Sequence, residues 1–157
     1  MNSVADTGDV PPPPSPALVE SYRTARYRVM PAGRAAFELR IGEPSPACDA
    51  WLAALGASTA TVVTAWNPLS VPCDDAGNRL AQDRLEARLR ALGRTFAPAT
   101  NTDPHGHWPA ELSIVALDLA PGELAGLLRE FAQYAAVVLP RGAAARLAWH
   151  PDLDRER

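Results

Sequence analysis

The stretch Thr61-Val62-Val63-Thr64-Ala65-Trp66-Asn67-Pro68 limits the fold of this chain more than any other. Its uncharged, β-branched first half reads as a buried strand, residues 58–65. Its second half ends that strand, because proline steers Asn67 toward an extended or turn conformation and away from a helix. Trp66 and Asn67 are thereby placed at the rim of a sheet, where α/β proteins often put their ligand contacts.

The rest of the chain supplies elements to surround that strand. A short helix is expected over 17–26, from the spacing of Leu18, Val19 and Tyr22. An antiparallel hairpin is expected from 27–30 and 36–41 across Pro31-Ala32-Gly33. Ser45, Pro46 and Gly56 mark the cap, first position and stop of a second helix. The longest helix is expected over 75–92, with Ala81, Leu85, Leu89 and Leu92 facing inward and interleaved charges facing out. Strands at 95–99, 112–119, 135–139 and 146–149 and a helix over 121–134 complete the pattern. Residues 100–109 read as a loop. The whole predicts one domain over 17–149, of α/β (α+β-like) class, with a mixed sheet, about three packed helices and a ferredoxin-like core. Residues 1–16, ending in Pro11-Pro12-Pro13-Pro14-Ser15-Pro16, read as a disordered proline-rich tail. Residues 150–157 read as a charged one.

Composition excludes several chemistries. All fifteen basic residues are arginine, so there is no lysine for a P-loop, a Schiff base or a kinase-type ATP site. The net charge of -3 argues against nucleic acid as a partner. No apolar run reaches the length of a transmembrane helix, and no signal peptide is visible, so a cytoplasmic protein with reduced Cys48 and Cys73 is expected. Gly42, Gly56 and Gly93 are isolated, and neither a dinucleotide fingerprint nor a G-x-S-x-G elbow occurs. No cofactor is expected.

Three histidine-loop residues, Asp103, His105 and His107, with Glu111 nearby, offer the best metal-like spacing, but they lie in a Pro/Gly-rich loop without a supporting helix or Cys-x-x-Cys pair. Cys48 shares its helical turn with Asp49, which opposes a reactive thiolate. Polar residues stranded among apolar ones say more: Thr64 and Asn67 end the central strand, Glu111 and Ser113 open the next, and Gln133 precedes a buried strand. A buried amide must find partners, so Gln133 either ties a helix end to a loop or points into a pocket.

Five blocks then occur in a telling order: Tyr22-Arg23-Thr24-Ala25-Arg26-Tyr27-Arg28-Val29, Leu39-Arg40-Ile41-Gly42, Thr64-Ala65-Trp66-Asn67-Pro68, Trp108-Pro109-Ala110-Glu111 and Phe131-Ala132-Gln133-Tyr134-Ala135. Together, over residues 18–139, they resemble the bacterial family known as domain of unknown function 3293. The resemblance implies a small bacterial protein with no assigned activity, and it draws interest to Arg26, Thr64, Asn67, Glu111 and Gln133. Joined with the aromatic residues, the expected ligand-binding set is Arg26, Thr64, Trp66, Asn67, Trp108, Glu111 and Gln133. The leading expectation is a non-catalytic module binding a small molecule or peptide at the Trp66–Pro68 strand end. One alternative is a hydrolase or transferase using Asp103, Glu111 and His105, with or without a metal. Another is an accessory protein-interaction subunit.

Overall fold

The computed structural model describes residues 10–153. The expected terminal tails fall partly on residues 1–9 and 154–157, outside the described residues. Of the remainder, Pro11 is buried and the Pro12 carbonyl accepts a hydrogen bond from the Tyr134 hydroxyl at 2.8 Å. At the other end, His150 and Asp152 are buried.

The elements in chain order are α1 (Pro16–Thr24), β1 (Arg26–Val29), β2 (Phe37–Leu39), α2 (Pro46–Ala54), β3 (Thr59–Val63), α3 (Asp75–Ala91), β4 (Phe96–Thr102), β5 (Glu111–Leu117), α4 (Pro121–Glu130), β6 (Ala135–Pro140) and β7 (Arg146–Trp149). Local chemistry sets the helix starts. The side chains of Ser15, Ser45 and Asp74 accept from the backbone N–H of Leu18, Cys48 and Gly77, satisfying donors that a helix start leaves free. Proline stands within the first turn of α1, α2 and α4, where its missing N–H costs nothing. Among the described residues no helix is long and apolar enough to cross a membrane.

All seven strands form one sheet in the order β2-β1-β4-β5-β3-β6-β7. Every pairing between them is antiparallel, which corrects the expected mixed sheet, and four α-helices replace the expected three or so. The reason lies in the crossovers. Helix α3 carries the chain from β3 to β4, and α4 from β5 to β6, each time over one intervening strand. The strands that α3 and α4 join are therefore second neighbours, and the strand between them runs the other way.

Two cores lie on the two faces of the sheet. On one, Val29, Leu39, Val62, Val115 and Val137 pack against Trp51 and Leu52 of α2. On the other, Val63, Ile114 and Val138 meet Leu85 and Leu89 of α3 and Leu127 and Leu128 of α4. Cys48 of α2 is fully buried; burial, and after it the neighbouring Asp49, push its thiol up to about 12, so it packs as an inert apolar group.

The sheet curls around α2 until its two ends touch. The backbone N–H of Gly42, just after β2, donates to the Ala145 carbonyl at 2.8 Å, and the Ala145 N–H donates to the Glu43 carbonyl at 3.0 Å. Gly42 takes φ +82° there, a conformation that a side chain would strain.

Candidate functional site

The concave face of the sheet opens at one end into a cavity of about 290 Å³. Register puts its floor together. Tyr27 on β1 stands opposite Asn101 on β4, and Asn101 stands opposite Glu111 at the start of β5. Side chains opposite one another on adjacent strands share a face, so a phenol, an amide and a carboxylate line up across three strands. Helix α1 supplies Leu18, Ser21 and Tyr22 to one wall, and the segment after β3 supplies Trp66, Asn67, Ser70 and Cys73 to another. Trp108 and Pro109 come from the loop before β5.

Asn67 organises the second wall. Its Nδ2 donates to Glu111 Oε1 at 3.2 Å, and its Oδ1 accepts from the Cys73 N–H at 3.0 Å and from Asn78 Nδ2 at 2.8 Å. Its own N–H donates to Asn78 Oδ1 at 2.9 Å. The residue sits at φ +46°, and Leu69 and Ser70 follow at +51° and +59°. Three left-handed non-glycine residues in four positions make a strained turn, which persists only where its surroundings over-determine it. They do so here. The Leu69 N–H reaches the Ala132 carbonyl at 2.7 Å, and Gln133 Nε2 donates to the Trp66 carbonyl at 3.2 Å. Thr64 Oγ1 donates to the Leu112 carbonyl at 2.6 Å and accepts from the Trp66 N–H at 3.0 Å.

The expected site residues thus divide. Trp66, Asn67, Trp108 and Glu111 converge on one cavity. Thr64 and Gln133 brace the turn from behind. Arg26 stands at the start of β1 beside Thr102 and does not line the cavity. Asp103, His105 and His107 form a separate loop knot: the Asp103 carboxylate accepts from the backbone N–H of His105 at 2.9 Å and of His107 at 2.7 Å. Desolvation, the largest single influence, opposes, but those two N–H donors and the adjacent imidazoles together hold the Asp103 carboxyl below its ordinary value. The two imidazoles meet edge to face, 5.9 Å between centroids. Among the described residues no three histidine, cysteine or acidic side chains are grouped to hold a metal ion.

Sequence reasoning missed Tyr22, Tyr27, Asn78 and Asn101. Asn78 is 1% exposed although it lies in the polar first turns of α3, and only its proximity to Asn67 in space explains that. Tyr27 Oη donates to the Tyr22 carbonyl at 2.9 Å, and the Tyr22 hydroxyl pairs with Ser70 Oγ at 3.2 Å. Burial raises the Tyr22 phenol to about 12 against the pull of Ser70, with the Glu111 charge adding to the rise. Burial, followed by Tyr22 and Glu111, raises Tyr27 too. Both phenols stay neutral.

Glu111 brings a partly desolvated carboxyl to the cavity floor. Desolvation raises its carboxyl above the ordinary 4.5, while the Asn67 and Asn101 amides partly offset that rise. The unfolded chain would lose this proton near 4.5 and the folded chain only at higher pH. Between those points the native state holds more protons, so this group's contribution to stability falls as pH rises. Glu111→Gln should therefore gain stability relative to the wild type as pH climbs from about 4.5 toward neutrality. Urea denaturation of both proteins across that range checks it; a gap that does not change with pH would contradict the assignment.

Residues 63–136 match the family described as "Protein of unknown function (DUF3293)". No curated protein and no solved structure matches the chain. The matched stretch runs from the end of β3 into β6 and contains Trp66, Asn67, Asn101, Trp108, Glu111 and Gln133. Tyr22, Tyr27 and the rest of the α1 wall lie outside it.

Proposed function

We propose on physical grounds that this chain, whose residues 63–136 match a family of unknown function, is a binding module, non-catalytic, whose ligand occupies the cavity between α1 and the Trp66–Cys73 segment. One observation carries the reading: aromatic surface and oriented polar groups meet in a single concavity that is largely pre-formed. Tyr22, Trp66 and Trp108 supply apolar area, and Asn67 and Glu111 are fixed in orientation by their mutual hydrogen bond. Such a division between apolar lining and a few placed polar groups is characteristic of small-ligand sites. The volume of about 290 Å³ suits a small molecule or one side chain of a peptide. Asp103 and His105 are absent from the lining, so the three residues of the hydrolase reading, Asp103, Glu111 and His105, do not meet in this cavity.

The same reading takes the consecutive run β3-α3-β4-β5-α4-β6 as a ferredoxin-like core. Its support is the spatial order β4-β5-β3-β6, antiparallel throughout. The hairpin of β1 and β2 and the strand β7 would then extend that core at its two ends.

Ser21→Trp tests the site. Ser21 lies on α1 at the cavity wall, and a large ring there should fill the space while leaving the helix intact. Ligand-observed NMR with small amines, carboxylic acids and neutral heterocycles should give hits for the wild type that vanish in the variant. Hits that survive the substitution, or none at all, would remove the cavity from consideration.

A further inference from the structure

Among the described residues, the charge inside the cavity has no opposite in its lining. Glu111 and Asp75 are the acidic residues of its lining, and none of the described arginines lines it. The polar partners of the Glu111 carboxylate are amides: Asn67 Nδ2 at 3.2 Å and Asn101 Nδ2 at 3.5 Å. Neutral donors orient a carboxylate without cancelling its charge, and a partly desolvated charge without a counter-charge is costly. Around it stand Tyr22, Tyr27, Trp66 and Trp108, residues whose ring faces carry the negative side of a quadrupole.

We propose that the cavity takes an organic cation, an ammonium or guanidinium group, with Glu111 as counter-charge and the aromatic residues as walls. This rests on the binding reading above and narrows it to a ligand class. A cation among aromatic rings gains from their quadrupoles, and more so where water is excluded. An anionic ligand would meet repulsion from both Glu111 and Asp75. The rise in the Glu111 carboxyl agrees, since it reports that burial disfavours the charge that a bound cation would stabilise. The group could come from a free amine or from the side chain of a peptide, and the same chemistry recognises both.

Calorimetric titration of the full chain with matched pairs separates these cases. Choline is paired with its uncharged carbon isostere 3,3-dimethyl-1-butanol, and a capped Gly-Lys-Gly peptide with its norleucine counterpart. At least one cation should bind tenfold or more tightly than its neutral partner, and Glu111→Gln should erase that preference. Choline binding would identify a free cation as the source, and binding of the lysine peptide alone would identify a peptide. The inference is overturned if the neutral partners bind as well as the cations, if the preference survives Glu111→Gln, or if neither cation binds the wild type at millimolar concentration. The wild-type comparison needs no variant to fold. Acidic or neutral hits that Ser21→Trp abolishes would keep the cavity as a ligand site while rejecting the cation.

Discussion

Asn67→Ala should lower the free energy of unfolding by roughly 3 kcal/mol, a large share of the margin that holds a domain folded. The side chain is the meeting point of the Glu111 carboxylate, the Cys73 N–H and the Asn78 amide. Alanine deletes all three bonds. Asn78 Nδ2 keeps a longer bond to the Cys73 carbonyl at 3.4 Å, but the Cys73 N–H and Glu111 Oε1 lose the Asn67 amide outright. Each partner left unsatisfied costs about 1–3 kcal/mol when buried, less where water reaches it. Alanine also tolerates φ +46° less well than asparagine, at about 1 kcal/mol. Asn67→Gly separates the two causes, since glycine restores the backbone freedom without the amide. Guanidinium denaturation should rank wild type above Asn67→Gly and Asn67→Gly above Asn67→Ala. A loss below about 1 kcal/mol for alanine would show that the amide bonds carry little stability. The simpler expectation, that a rim asparagine serves the ligand alone and can be removed at no cost to folding, does not suit this geometry.

An equal or larger effect is expected at Trp51 of α2. Trp51 is 5% exposed, belongs to the core beneath the curled sheet, and sits 6.0 Å from the Phe37 ring, centroid to centroid. Trp51→Ala should cost about 3–5 kcal/mol, from lost apolar burial and from the cavity left behind. Leu80→Ala is the matched control on an exposed helix face, 66% exposed, and should change stability by no more than about 0.5 kcal/mol. Similar melting temperatures for the two variants would mean that α2 does not plug the sheet as described.

How legible all this was in the sequence depended on whether the deciding contact was local. Caps are local, so Ser45, Pro46 and the glycine after α2 marked their helix correctly. Periodicity found the inner stripe of α3 for the same reason. β4 shows where that logic ends. Its reading stopped at Ala99, yet the strand runs to Thr102 through Pro98, because Thr100 and Asn101 pair with Arg28 and Tyr27 of β1. Polar residues in a strand look like a loop until the cavity they border is known. The antiparallel sheet was hidden similarly: alternating strands and helices do not say how many strands a crossover skips. In the site, Trp66, Asn67, Trp108 and Glu111 stood out as polar or aromatic residues in conspicuous places. Tyr22 and Tyr27 did not, because a tyrosine that spaces like core reads as core. Asn78 carried no local signal at all.

The contact between the sheet's two ends has a further consequence, for solubility at high concentration. Unpaired strand backbone is a template on which a second molecule can add a strand, and from which ordered aggregates grow. Here the chain after β2 and the chain before β7 bond to each other through Gly42, Glu43 and Ala145. Part of the backbone that would otherwise invite a neighbour is thus taken up within the same molecule. A substitution that pried this seam open would expose two adhesive borders at once, so its first symptom would be self-association rather than loss of ligand binding.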